Sequence, residues 1–274
     1  MSQYAEQHVL VDTQWLDEHL NDPKVRVIAA EANPQLYNDA HIPGAVFWSL
    51  TDLLLPDFRT NFDPASLEKL LSRSGISNDT TVIAYGSYPG TSGWIFWLLK
   101  VFGHDFVRVL NGGYQKWMAE NRPLTTELPI VTPTDYRAQV PNPSLRVSFQ
   151  EVQASVDRSD CVLLDVRTPQ EYTGEWFFDQ PPQGTQRAGH IPGAVHIDHL
   201  LTLNQDGTFK SIDELQALYS SKGITPDKEI FPYCAIGGRS GYTWFVLKYL
   251  LGYPNVRNYD GSWNEWSRSN MAIA

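Results

Sequence analysis

Cys234 and Arg239 frame one short run, Tyr233-Cys234-Ala235-Ile236-Gly237-Gly238-Arg239-Ser240-Gly241, with only small or apolar residues between them. An apolar stretch, 230–233, leads in, and a helical pattern, 242–251, leads out. A strand that ends in a cysteine, then a tight loop, then a helix N-terminus forms an anion cradle with a nucleophile at its base. A free thiol, with a pKa near 8.5, is only about 3% thiolate at pH 7. Lowering that pKa by roughly two units takes about 2.7 kcal/mol of preference for the anion. Inward-pointing backbone N–H groups, the positive end of the helix dipole and the Arg239 guanidinium all act in that direction. Gly237 and Gly238 permit the backbone angles that a closed ring of amides demands. Cys234 is therefore read as a nucleophile and Arg239 as its anion-binding partner.

The elements that position these residues are repeated. His41-Ile42-Pro43-Gly44-Ala45-Val46 recurs as His190-Ile191-Pro192-Gly193-Ala194-Val195. Trp94 to Lys100 matches Tyr242 to Lys248, and the segment from Asn111 to Trp117 matches that from Asp260 to Trp266. A period of nearly 150 residues is a domain duplication, not a solenoid repeat. In each half, apolar strands alternate with helical patterns: 25–31, 81–85 and 107–110, then 162–166, 229–233 and 256–259. Asp63-Pro64 is an N-cap followed by a first-turn proline, with Gly75 as the stop. Ser211 and Glu214 form a capping box, closed by Gly223. This alternation predicts α/β domains, each a parallel sheet with helices on both faces. Ligands in such folds bind beyond the carboxyl ends of strands, where Cys234 lies.

One half serves as a control for the other. His41 and His190 occur in both, so both are expected to be hydrogen-bonded loop residues, and Trp117 and Trp266 core anchors. Only the second half has Cys234, opposite Gly86, and Arg239, opposite Thr91. The first half is therefore expected to do no chemistry and to wall one side of the site. Asp165 ends a strand at the same sheet edge and is expected to hydrogen-bond loop amides or to hold an arginine. Arg167 is new in the second half. It is either a second substrate cation or the partner of Asp165 or Glu171.

The net charge of −10 excludes the basic surface that nucleic-acid binding requires. No apolar run reaches membrane-spanning length and no secretory signal is visible, so a cytoplasmic location is expected. The two cysteines, Cys161 and Cys234, are too few for a disulfide framework and lack metal-ligand spacing. Cys161 lies in an apolar strand and reads as packing. No metal or other cofactor is expected.

The duplicated α/β domain, the paired His-Ile-Pro-Gly-Ala motif, the cysteine loop of the second half and the run from Asn258 to Trp263 together resemble the tandem-domain rhodaneses. These are thiosulfate sulfurtransferases, with 3-mercaptopyruvate sulfurtransferases as close relatives, and the bacterial thiosulfate type is the nearest match. The resemblance implies two rhodanese-like domains, and the prolines between Arg122 and Val147 mark their division into an inactive 1–125, a proline-rich linker 126–144 and a catalytic 145–274. It implies that Cys234 carries sulfur as a persulfide inside amides supplied by Ala235, Ile236, Gly237, Gly238, Arg239 and Ser240. The six-residue loop from Cys234 to Arg239 is one residue shorter than the Cys-x5-Arg loop of related phosphatases. That size suits a sulfane sulfur better than a phosphate. Mammalian thiosulfate enzymes carry a lysine where this chain has Ile236, and relatives carry an arginine where it has Glu171. Arg239, with Arg167 or Arg187, is the expected replacement. The implied partners are a small anionic sulfur donor and a thiophilic acceptor such as cyanide or a thiol. The alternatives are a 3-mercaptopyruvate donor, a cysteine phosphatase or arsenate reductase, and a non-catalytic sulfur carrier or binding module that only accepts sulfur from a partner protein; a sulfur-accepting protein is a further candidate partner.

Overall fold

The computed structural model describes residues 3–274. The first half contains strands β1 (Leu10–Val11), β2 (Val25–Glu31), β3 (Val46–Ser49), β4 (Thr81–Tyr85) and β5 (Val107–Leu110). Its helices are α1 (Thr13–His19), α2 (Pro34–Asp39), α3 (Pro64–Arg73), α4 (Thr91–Val101) and α5 (Gly113–Ala119). The second half contains β6 (Cys161–Asp165), β7 (Val195–His196) and β8 (Glu229–Tyr233), with α6 (Phe149–Ser155), α7 (Pro169–Tyr172), α8 (Ile212–Ser220), α9 (Gly238–Phe245) and α10 (Ser262–Trp266). Every strand pairing within the two sheets is parallel.

Strand periodicity builds three cores. Ile28, Ala30, Val82 and Ala84 point inward, with Val162, Leu164 and Ile230, into one core shared by both halves. Their neighbours Val27, Ala29 and Ile83 point outward onto Leu16 of α1, Tyr37 of α2 and Trp117 of α5. Leu163 and Phe231 likewise meet Val152 of α6 and Trp263 and Trp266 of α10. Continuously apolar strands are thus buried on both faces, as parallel sheets require. Trp117 and Trp266 play matching parts, each fully buried with its Nε1–H on a backbone carbonyl.

The first sheet has the order β1-β5-β4-β2-β3. The second shows β7-β6-β8 as regular ladders, and residues 256–259 were expected to add a strand. That segment lies beside β8: Arg257 N–H donates to the Ile230 carbonyl at 3.1 Å and Tyr259 N–H to that of Pro232 at 3.0 Å. It forms an isolated bridge instead of a ladder. Pro232 has no N–H to give Arg257, whereas β4 carries Ala84 at the matching place. Beyond it, Asn258 bonds to Leu145 and Val147, so the spatial order of the first half is reproduced. The short edge strands β1, β3 and β7 carry too few residues to show a period in the sequence.

The halves meet where α4 crosses α9. Each helix presents a glycine to the other's aromatic residue: Gly93 faces Tyr242, and Gly241 faces Trp94. Phe96 and Phe245 pack edge to face at 4.7 Å. Residues 126–142 run along the first half, tied by Thr134 N–H to the Ser72 carbonyl and Asn142 N–H to that of Val101. Among the described residues, no helix is long and apolar enough to cross a membrane.

Candidate active site

Cys234 is the first residue past the carboxyl end of β8, and Gly237 caps the N-terminus of α9 with φ +94°. A Cβ on Gly237 would lie 2.6 Å from the Asp260 carbonyl oxygen, so the turn closes only with glycine. Three of the loop's carbonyls are engaged by other parts of the second half. Those of Cys234 and Ala235 accept from Trp263 and Asn264 N–H in α10, and that of Gly237 accepts from Asn258 Nδ2 at 3.2 Å.

The thiol is 1% exposed and forms the floor of a cleft. Its Sγ accepts from Gly237 N–H at 3.2 Å and lies 3.6 Å from Ser240 Oγ. Ser262 Oγ accepts the Cys234 N–H at 3.0 Å and lies 4.0 Å from the sulfur. Of the expected ring, Gly237 contributes its amide and Ser240 its hydroxyl. Ala235, Ile236 and Gly238 line the cleft without a hydrogen bond to the sulfur. Burial pushes the Cys161 thiol up to about 11, which disfavours its thiolate at neutral pH.

The charged residues take separate places. Arg239 lines the cleft, but its fork is engaged: Nη1 donates to Glu171 Oε2 at 2.6 Å and Nη2 to Oε1 at 2.7 Å. Burial opposes the Arg239 cation, yet the bonds to Glu171 and the neighbouring Cys234 carry its pKa above the ordinary value. Burial likewise raises the Glu171 pKa, and Arg239 reverses this to leave it below the usual carboxylate range. Arg167 stays outside the cleft. Its fully buried guanidinium holds Asp165 at 2.6 Å and the Gly189 carbonyl at 2.7 Å, over the Trp263 ring. This geometry is that of an Asp165 partner, not of a substrate cation. Arg187 is also elsewhere, bonded to the Ser269 and Met271 carbonyls. His190 stacks on Tyr172 at 3.8 Å and donates from Nδ1 to its carbonyl. His41 does the same with Tyr37.

The first half's loop carries Gly86 where the second has Cys234, and it leaves no room for a side chain there. A Cβ on Gly86 would lie 2.6 Å from the Ala30 carbonyl oxygen, and Glu31 accepts both the N–H and the hydroxyl of Ser87 at 2.6 Å. This loop nevertheless walls the second half's site through Tyr88, Gly90 and Thr91.

The cleft has a volume of about 420 Å³, and Leu50, Tyr88, Trp94, Trp176, Phe178 and Ile236 form its apolar walls. Sequence reasoning missed the site roles of Ser262, Leu50, Trp94, Trp176 and Phe178. Ser262 lay in the noted run from Asn258 to Trp263 without a role, and nothing in the chain order links Leu50 or Trp176 to Cys234.

A rhodanese-like domain model matches residues 12–120 and again 148–269. The chain belongs to the rhodanese family. This tandem rhodanese is 49% identical over 271 residues to the "Sulfur carrier protein TtuD" of Thermus thermophilus, covering 96% of this chain and 95% of that one. It is 42% identical over 270 residues to a Mycolicibacterium smegmatis protein named "Putative thiosulfate sulfurtransferase", with 96% and 95% covered. Among solved structures, it matches wild-type EanB with a TM-score of 0.87 and 27% identity, covering 100% of this chain and 70% of that one. It also matches, with the same score and identity, the anaerobic ergothioneine biosynthesis enzyme of Chlorobium limicola bound to trimethyl histidine, covering 71% of that chain.

Proposed function

We propose that this rhodanese moves the outer sulfur of thiosulfate to a thiophilic acceptor through a persulfide on Cys234. The observation that carries the proposal is the Cys234 thiol at the floor of an open cleft, with Gly237 N–H and the Ser240 hydroxyl aimed at its sulfur. In the first step the Cys234 thiolate attacks the outer sulfur of thiosulfate. A new sulfur–sulfur bond forms, the old one breaks, and the electron pair leaves with sulfite. In the second step cyanide or a thiolate attacks the outer sulfur of the persulfide, and the electron pair returns to Cys234. The donors around the sulfur are fixed before the reaction, so they stabilise the anion without reorganising. Arg239 lines the same cleft with its terminal nitrogens held by Glu171, so its charge lies near the sulfur while its fork is already occupied.

The test is intact-mass measurement after thiosulfate treatment. Wild type gains one sulfur atom and Cys234→Ser gains none. A gain that persists in the variant would falsify the assignment. Initial rates with 3-mercaptopyruvate in place of thiosulfate then decide the donor.

A second reading keeps the persulfide and changes its fate. The 49%-identical relative is named a sulfur carrier, which supports delivery of the sulfur to another protein. Stoichiometric loading with no turnover on cyanide or small thiols selects this reading.

A further inference from the structure

The two halves differ most between α2 or α7 and the histidine that follows. Tyr37 and His41 are four positions apart, whereas Tyr172 and His190 are eighteen apart. Both pairs stack at 3.8 Å, so the lengthened segment, 173–189, leaves its base undisturbed. The loop is held at both ends. A Cβ on Gly174 would lie 3.1 Å from the Gly189 nitrogen, and Arg167 holds the Gly189 carbonyl. Arg187 anchors it to the chain's last residues through the Ser269 and Met271 carbonyls. Phe177 is buried and packs edge to face on Phe178 at 4.6 Å.

Phe178 has φ +63°, a left-handed conformation that is costly for a bulky side chain. It persists because its surroundings hold it. The result is a fixed wall that presents Trp176, Phe178 and Asp179 to the cleft above Cys234. Leu50, Tyr88 and Trp94 face this wall from the other domain.

Cyanide and thiosulfate fill only a small part of about 420 Å³, and pockets for organic ligands span about 300–1,000 Å³. The charge pattern agrees. Glu171 neutralises Arg239, and Asp179 adds a carboxylate, so an anionic acceptor gains little here. An apolar body gains about 25 cal/mol for each Å² it buries against these rings.

We propose that the 173–189 loop is an acceptor-recognition wall, and that the acceptor is a small organic thiol with a flat apolar body and no carboxylate. This rests on the persulfide reading. The acceptor's thiolate attacks the outer persulfide sulfur, one sulfur–sulfur bond forms as the other breaks, and the electron pair returns to Cys234. The product is an organic persulfide.

The full chain is loaded with thiosulfate, desalted and checked by mass. It is then discharged with benzyl mercaptan, mercaptoethanol, mercaptosuccinate or cyanide, with rates corrected for each thiol's ionised fraction. Benzyl mercaptan is expected to react at least tenfold faster than mercaptoethanol, and mercaptosuccinate slowest. Trp176→Ala, and Phe178→Gly, which relieves the left-handed strain, are each expected to lower the benzyl mercaptan to cyanide ratio at least tenfold. Equal rates for the three thiols, or an unchanged ratio in both variants, overturn the proposal. Failure of wild type to load sinks the persulfide reading instead. Calorimetric titration with benzyl mercaptan then decides the wall separately: saturable binding lost in Trp176→Ala supports it, and no saturable binding overturns it.

Discussion

Glu171 receives both terminal nitrogens of Arg239, at 2.6 and 2.7 Å, while its Oε2 also accepts the Thr168 N–H at 3.0 Å. One carboxylate therefore caps α7 and fixes the cation that faces Cys234. Both partners are largely buried, so removing one leaves an uncompensated charge. Glu171→Gln is expected to lose about 3–5 kcal/mol of stability at pH 7 by urea unfolding. The Glu171 pKa is held below its unfolded value, so its contribution is complete above that value, near 4.3, and is lost as pH falls through the folded one. The gap between wild type and variant should narrow below about pH 4. A gap that stays constant with pH would assign the loss to packing.

Returning a cysteine to the first half should not restore a second site. In Gly86→Cys, the new Cβ meets the Ala30 carbonyl oxygen at 2.6 Å and the Thr91 Cβ at 2.9 Å. The expected outcome is about 1–3 kcal/mol of destabilisation by overpacking. After thiosulfate treatment the variant should gain no more sulfur than wild type. A two-sulfur gain would show that the loop can reopen.

The α4–α9 crossing sets how closely the domains approach. A Cβ on Gly93 would lie 2.8 Å from the Tyr242 Cα, whereas one on Gly241 would lie 3.4 Å from the Trp94 Cα. Alanine gains up to about 1 kcal/mol in helix propensity. Overpacking against backbone costs about 1–3 kcal/mol, so Gly93→Ala should be destabilised on balance. Gly241→Ala should lose less, because its tightest contact, Trp94 Cδ1 at 3.1 Å, belongs to a side chain. Urea midpoints of the two variants check the order.

Ser240 and Ser262 support the thiol in different ways. Ser240→Ala removes a donor to the sulfur and little else, so thiosulfate loading at neutral pH should slow by about tenfold, a hydrogen bond's worth of about 1.4 kcal/mol. Ser262→Ala leaves the buried Cys234 N–H without its acceptor, which costs about 1–3 kcal/mol of stability. Ser240→Ala should therefore change rate more than stability, and Ser262→Ala should change both. Stopped-time mass spectra and thermal melts separate them.

Duplication, parallel α/β halves, the paired histidines and the cysteine loop were all legible in the order of residues. Strand apolarity, helix caps and the His-Ile-Pro-Gly-Ala repeats act over a few positions, and local rules read them directly. The segment 256–259 shows the limit. Its own residues favour a strand, but the missing donor sits on Pro232 of its neighbour.

Arg167 and Arg239 show the same division. As letters in the chain, both were candidates to bind substrate. Packing alone sends Arg167 over the Trp263 ring to hold Asp165 and leaves Arg239 at the cleft, shared with Glu171. Which residue carries the thiol, and that only one half has it, follow from residue identity. Whether Gly86 has room for a side chain, which carboxylate meets which arginine, and which rings wall the cleft depend on contacts between distant segments, and only the assembled fold decides those.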